Sequence, residues 1–162
     1  MENLFTGSKN RFLQALARSA PGATTLRVWL HRWRGVHIGK NVWIGYDAII
    51  ETSSPQLVTL EDGASVGIRA TIIAHFRELN GVHIEAGAVI GAGAMILPNV
   101  TVGRGAVVTA GSVVTHSVEA MTLVQGNPAK AVARIGVPMT LDLPIKEFSK
   151  HLKPIRTQRD SS

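Results

Sequence analysis

Aliphatic residues recur along this chain at every sixth position. Ile38, Ile44 and Ile50 open the series, Leu60, Val66 and Ile72 continue it, and Ile84, Ile90, Ile96, Val102, Val108 and Val114 complete it. Two positions before most of them stands a second small or branched apolar residue: Val36, Val42, Ala48, Val58, Ala64, Ala70, Val82, Ala88, Ala94, Val100 and Ala106. A spacing of six fits neither the helical period nor the strict alternation of a hairpin strand. It fits a solenoid with three flat faces per turn. One aliphatic side chain per face points inward, and the small residue packs at the corner. Glycine follows the aliphatic position at Gly39, Gly45, Gly67, Gly91 and Gly103, where the chain is expected to turn. Four turns can be read, over 36–53, 58–75, 82–99 and 100–117. The pattern therefore predicts an all-β solenoid with a core of stacked Val and Ile.

Two segments break the period. Ser53-Ser54-Pro55-Gln56-Leu57 lies between the first and second turns, and His75-Phe76-Arg77-Glu78-Leu79-Asn80-Gly81 between the second and third. Both fall between turns, so they are expected to leave the solenoid at one corner, one above the other. Loops on a rigid scaffold are where sites are usually built.

Before the repeat, residues 3–18 carry Leu4, Phe5, Phe12, Leu13, Leu16 and Ala17 at near-helical spacing. A second helix is predicted over Thr24–Arg34. Leu26, Trp29, Leu30 and Trp33 lie on one side of it, with Arg27, His31, Arg32 and Arg34 around them. Residues 1–35 are thus a helical cap over the open end of the β-helix, 36–120 the solenoid, and 121–162 a closing segment and basic tail. The closing part is expected to hold a short helix over 145–153 and a loose polar end from about 154. The alternative for the segment 24–34 is peripheral contact with an anionic membrane, whose interface suits Trp and Arg.

Length and composition fit one narrow domain. The chain has 162 residues, 45% apolar but only 5% aromatic, so Val, Ile and Ala must fill the interior. The absence of cysteine excludes disulfides, cysteine nucleophiles and cysteine-based zinc sites. No secretory signal and no membrane-length apolar run is visible, which points to a cytoplasmic protein, with the inner face of the membrane as the alternative. The net charge of +6 is uneven. Residues 36–120 hold four Lys/Arg against seven Asp/Glu, and the flanks thirteen against four. Such flanks are read as solvated segments, as nucleic-acid contacts, or as attraction to the phosphates of a cofactor or lipid. Nucleic acid is not expected as a partner, because the chain shows no aromatic platform and no recognition helix.

The repeat, together with the segment Gly126-Asn127-Pro128-Ala129-Lys130 that follows it, resembles the hexapeptide-repeat acyltransferases over about residues 35–135. The likeness is to the branch of maltose, galactoside and xenobiotic acetyltransferases and of polysaccharide-pathway O-acetyltransferases. It implies a left-handed parallel β-helix of about four coils, a homotrimer, and transfer of an acetyl group from acetyl-CoA to a sugar or glycan hydroxyl.

Such a transfer needs a base for the hydroxyl proton, donors for the oxyanion, and a groove that holds both substrates. Of six histidines, His75 stands out: it follows the apolar run Ile72-Ile73-Ala74 and opens the second loop. The resemblance places the family's catalytic histidine there, with Glu78 as a candidate orienting carboxylate. His37 and His83 are expected to face outward from the repeat, and His31 to belong to the cap. Asp47, Glu51 and Ser53 lie near the first loop and are read as solvent-exposed, with contact to a sugar hydroxyl as the alternative. The resemblance also places acetyl-CoA along small residues of the later coils, at Ala92, Gly93 and Ala110, then at Thr115 and His116. Lys130, and Arg134 beside the expected position, would meet the nucleotide phosphates. A backbone N–H near the small residues would hold the oxyanion.

Two other classes share this architecture. A carbonic-anhydrase-like zinc protein needs three histidines around the metal, and the eight-residue separation of His75 and His83 across a loop does not match that family. A non-catalytic assembly solenoid is the remaining alternative.

Overall fold

The computed structural model describes residues 4–75, 80–140 and 142–155. It is a parallel β-helix of four coils. The first coil carries β1 (His37–Ile38), β2 (Trp43–Ile44) and β3 (Ile49–Ile50), and the second β4 (Val58–Leu60), β5 (Ser65–Val66) and β6 (Thr71–Ile72). The third carries β7 (Val82–Ile84), β8 (Val89–Ile90) and β9 (Met95–Ile96), and the fourth β10 (Thr101–Val102), β11 (Val107–Val108) and β12 (Val113–Val114). Their stacking makes three sheets: β1-β4-β7-β10, β2-β5-β8-β11 and β3-β6-β9-β12. We call these the first, second and third faces.

The six-residue pattern is the core. Ile44, Val66, Ile90 and Val108 stand in register up the second face, and Ile50, Ile72, Ile96 and Val114 up the third. All eight are buried, and so are the small residues two positions earlier. Each coil thus encloses only three aliphatic and three small side chains, which is why so few aromatic residues suffice.

The glycines after the aliphatic positions have a different role from the one expected. The left-handed turn falls two residues later, at Asn41, Asp47, Gly63, Arg69, Gly87, Gly93, Asn99, Gly105 and Gly111, all with positive φ. Gly45, Gly67 and Gly91 are needed for close approach. A Cβ there would lie 2.5, 2.6 and 2.5 Å from the backbone nitrogens of Ile68, Ala92 and Ala110 in the next coil. The site demanding glycine is the one where coils touch backbone to backbone. The turn itself also accepts Asn, Asp and Arg.

Two helices close the first coil, α1 (Leu4–Ser19) and α2 (Leu26–Arg34). They pack on each other through Leu13, Ala17, Ala20 and Leu30. Residues of α2 contact β1 and β2, and residues of α1 contact β3, so the cap role is met. Their orientation differs from the expected one. Arg27, His31 and Arg34 are buried, whereas Leu26, Trp29 and Trp33 are exposed, as are Phe5, Phe12 and Leu16 of α1.

At the other end, β13 (Thr122–Gln125) adds a parallel fifth rung to the second face. β14 (Lys130–Ile135) and β15 (Leu152–Pro154) extend that sheet antiparallel. The first face also continues past the fourth coil, where Val118 bridges Val102. The short helix α3 (Ile145–Lys150) packs Phe148 against Val107 and Ile135 on the outer side of the second face.

Candidate active site

Both interruptions leave at the corner between the third and first faces, as the repeat implied. The loop starts are stacked, because Ile50 and Ile72 are in register. Glu51 therefore lies beneath Ile73, and its side chain rises to the start of the second loop.

Glu51 is buried at 2% exposure. Its Oε1 accepts the backbone N–H of Ser53 at 2.8 Å and of Ser54 at 3.1 Å. Its Oε2 accepts the backbone N–H of Ala74 at 2.7 Å and of His75 at 3.0 Å, and lies 2.8 Å from His75 Nδ1. One carboxylate thus ties both loop starts together and holds the histidine ring. Burial by itself pushes the Glu51 carboxyl up. The N–H of Ala74, the ring of His75 and the N–H groups of Ser54 and Ser53 more than reverse this, and its pKa falls to about 2. An ionised carboxylate only accepts hydrogen bonds. Nδ1 of neutral His75 therefore carries the proton, and Nε2 is left with its lone pair. The His75 side chain is 40% exposed.

Behind this pair stands a polar wedge from the cap. Arg34 donates through Nη2 to the backbone carbonyl of Glu51, and through Nη1 to Gln14 Oε1 at 2.5 Å and His31 Nδ1 at 2.9 Å. Gln14 donates to the Ala48 carbonyl at 2.9 Å and accepts the Ile50 N–H at 3.3 Å. The backbone on both sides of Glu51 is therefore clamped from α1 and α2. Burial, then the charges of Arg34 and Arg27, lower the His31 pKa to about 3, which keeps the ring neutral as an acceptor for Arg34. Burial likewise lowers Arg34 to about 10, with the Glu51 charge opposing the shift.

The assignment of Glu51 to the solvated surface is thus corrected. Charge alone suggested exposure, but the helical cap and the stacked loop starts bury it. Glu78 lies outside the described residues. The signal for Glu51 was its register: it sits where the coils above carry Ile73, Leu97 and Thr115. A lone acid in that apolar column, beneath a loop-opening histidine, marked the pair. Asp47 does remain at the surface, 3.1 Å from Arg18.

The remaining candidates fall into three groups. Thr115 and His116 share the His75 corner, two coils higher, with Thr115 Oγ1 2.8 Å from His116 Nδ1. Ala92, Gly93 and Ala110 are exposed at the opposite edge of the third face, where it meets the second. Gly93 takes φ 67° there, and Gly111 donates to the Ala92 carbonyl at 2.9 Å. A mostly apolar hollow of about 410 Å³ opens beside Gly91 and Ala110, walled by Leu123, Met139, Phe148 and Leu152. Lys130 is exposed at the start of β14. Arg134 is held by Glu119 at 2.6 Å and donates to Thr122 Oγ1 at 2.8 Å. One chain therefore brings His75, Thr115 and His116 to one corner and leaves the small-residue corner across the face.

His37 and His83 do face outward, on the first face. A broad hollow of about 650 Å³ lies there, lined by His37, Glu61, Asp62 and Arg104. Its acids serve the scaffold: Asp62 accepts the Lys40 N–H at 2.7 Å and Glu61 the Ala86 N–H at 2.9 Å. Among the described residues no cluster of His, Cys, Asp or Glu is arranged to hold a metal ion.

Comparison with known proteins agrees with the fold. The family model for bacterial transferase hexapeptide repeats matches residues 81–116, and that for the hexapeptide repeat of succinyl-transferase matches residues 35–98. The chain belongs to the hexapeptide-repeat transferase family. It is 35% identical over 98 residues to a 2,3,4,5-tetrahydropyridine-2,6-dicarboxylate N-acetyltransferase of Staphylococcus aureus, a match that takes in 58% of this chain but 31% of that protein. The chain thus spans about a third of the length of the curated relatives it matches. A hexapeptide-repeat acetyltransferase of Vibrio cholerae, solved with acetyl coenzyme A, superposes with a TM-score of 0.64 at 21% identity, over 80% of this chain and 87% of that one. A maltose O-acetyltransferase of Clostridium difficile gives a TM-score of 0.64 at 19% identity, over 82% and 89%.

Proposed function

We propose that this chain transfers an acetyl group from acetyl-CoA to a hydroxyl of a sugar or glycan, with His75 as general base and Glu51 as its orienting partner. The observation that carries this reading is the 2.8 Å contact between His75 Nδ1 and the buried, ionised Glu51. Nε2 takes the acceptor's proton as its oxygen attacks the thioester carbonyl. Backbone N–H groups hold the tetrahedral oxyanion. The C–S bond then breaks, the thiolate takes the proton back from the imidazolium, and an acetyl ester and free CoA thiol leave. Glu51 stabilises the imidazolium between the two proton transfers.

The cosubstrate would run along the small-residue corner at Ala92, Gly93 and Ala110, towards Thr115 and His116, with Lys130 and Arg134 near its phosphates. Because the third face separates that corner from His75 in one chain, a groove uniting them belongs to an assembly, and the family's trimer provides one. The protein would work in the cytoplasm, where acetyl-CoA is made. The match to a tetrahydropyridine-dicarboxylate N-acetyltransferase favours a second reading, in which the acceptor is a nitrogen compound carrying carboxylates.

The test is acetyl-CoA binding by calorimetry on the wild type and His75→Ala, with thiol release measured over sugars and over tetrahydropyridine dicarboxylate. Binding retained and sugar-dependent thiol release lost in His75→Ala is the expected result. Release with the dicarboxylate alone would select the second reading. Absence of binding by either protein would reject both.

A further inference from the structure

The outer surface of the cap is unlike the rest of the molecule. Six of the chain's eight aromatic residues precede Asp47: Phe5, Phe12, Trp29, Trp33, Trp43 and Tyr46. Four of them are strongly exposed on the helices, Phe5 at 80%, Phe12 at 69%, and Trp29 and Trp33 at 54% each. At about 100° per residue, Phe5, Phe12 and Leu16 fall within about 40° on α1. Leu26, Trp29 and Trp33 likewise fall within about 60° on α2. Each helix therefore presents a narrow outward apolar stripe. The two indoles lean on each other at 5.1 Å, which makes one broad aromatic plate.

The charge carried by the two helices themselves has one sign, and Arg18 of α1 pairs with Asp47 of the first coil. Residues 3–46 contain seven Lys/Arg and no Asp or Glu. Arg27 and Arg34 are buried, whereas Arg11, Arg32 and Lys40 are exposed and Lys9 is half-buried. On the helical wheel Lys9 borders the α1 stripe, Arg11 lies about 100° round from its other edge, and Arg32 lies about 60° from Trp29. A stripe meant for a second copy of this chain would bring these cations face to face. A stripe meant for water would not hold four exposed aromatic rings. Aromatic rings with flanking cations suit the boundary of an anionic bilayer, where the rings enter the headgroup layer and the cations meet lipid phosphates.

We propose that the outer face of α1 and α2 docks on anionic lipid and holds the protein peripherally at a membrane. Among the described residues no helix is long and apolar enough to cross one, so the contact is interfacial. The placement has a consequence for the site. The cap closes the first coil, Glu51 belongs to that coil, and His75 to the next. Neighbouring coils are about 4.8 Å apart. The catalytic corner would then stand directly over the bilayer surface, within reach of an acceptor anchored in it. The docking proposal itself does not depend on the acetyl-transfer reading.

The experiment is sedimentation of the full chain with vesicles of phosphatidylcholine alone and of phosphatidylcholine with phosphatidylglycerol, while tryptophan emission is recorded. Pelleting with the anionic vesicles, weakened by salt and accompanied by a blue shift, is expected. Trp29→Ser with Trp33→Ser should abolish the shift and the pelleting. Lys9→Glu with Arg11→Glu should weaken binding by about tenfold or more. Thermal melts of both variants report folding, because these side chains are not in the core. No pelleting with either vesicle overturns the proposal. So does binding that is equal on neutral vesicles and indifferent to salt. Sizing that shows the Trp variants breaking an oligomer of this chain would assign the face to self-association instead.

Discussion

Glu51 is where stability and chemistry meet, and Glu51→Gln separates them. In the wild type, Oε2 serves three donors, the N–H groups of Ala74 and His75 and the His75 ring, and Oε1 serves two, the N–H groups of Ser53 and Ser54. A glutamine has one oxygen and one NH₂. The oxygen will take the three-donor side, so the His75 tautomer survives, and the NH₂ will oppose the two serine N–H groups. Two partly exposed donors left without this acceptor cost no more than about 1–3 kcal/mol each. The titration expresses the same hydrogen bonds as a second magnitude. A fall from 4.5 to about 2 corresponds to about 3 kcal/mol of stability supplied by the ionised form. Both routes predict a loss of about 3 kcal/mol at neutral pH, measured by urea unfolding. The folded carboxyl has the depressed pKa, so its contribution is complete above about 4.5 and fades as pH falls towards about 2. The gap between wild type and Glu51→Gln should therefore narrow by about 2 kcal/mol between pH 7 and pH 3. In catalysis, a neutral acceptor replaces a charged one opposite the imidazolium. Charge-assisted hydrogen bonds exceed neutral ones by about 1–1.5 kcal/mol, so kcat should fall about tenfold with acetyl-CoA affinity kept. Glu51→Ala removes the ring's anchor altogether and should cost about 10²–10⁴-fold. A folded Glu51→Ala with wild-type kcat would refute the pairing as functional, and a pH-independent stability gap would refute the charge argument.

Other consequences follow from the cap and the coils. His31 binds a proton in the unfolded chain near 6.5 but in the folded one only near 3, so acid favours unfolding. Its contribution is complete above pH 6.5 and should fall by about 2.5 kcal/mol on going from pH 7 to 4.5. His31→Gln, which keeps an acceptor for Arg34, should remove that slope in urea titrations at the two pH values. Gly91→Ala would set a Cβ 2.5 Å from the Ala110 nitrogen and should lower stability by more than about 2 kcal/mol. A Cβ at Gly111, at φ 69°, meets nothing within 4 Å, so Gly111→Asn should cost about 1 kcal/mol or less, because Asn tolerates this conformation. Melting both proteins side by side distinguishes close approach from turn geometry as the reason for each glycine.

The architecture was legible because its period is local. Twelve aliphatic residues at a fixed spacing define the faces, and the two interruptions, lying between turns, define the corner at which they leave. His75 could be singled out for the same reason. Its partner was missed because a sequence shows charge and not burial. Glu51 looked like a surface acid until the two stacked loop starts and Arg34 were seen to enclose it. Helix orientation failed similarly. Along α2, Leu26, Trp29, Leu30 and Trp33 look like one apolar side, yet of these only Leu30 turns inward. Hydrophobic periodicity assumes an apolar partner beneath the helix. Here the partner is the polar backbone around Ala48, Ile50 and Glu51, and it selects Gln14 and Arg34 instead.

That inversion ties the site to the surface. The inner side of the cap holds groups that clamp the backbone of Glu51, and the aromatic residues of both helices face outward. The two sides are then separable by substitution. Changes at Gln14 or Arg34 act through Glu51, so they belong in the class of positioning residues and should alter turnover with lipid binding unchanged. Changes at Phe12, Trp29 or Trp33 reach no group that holds His75, and should leave turnover on a soluble acceptor intact while removing attachment to lipid. If the acceptor is itself anchored in the bilayer, the outward substitutions will depress only the rate on vesicle-bound acceptor. The cap would then be the element that selects where this protein works, and the coil above it the element that decides what it does there.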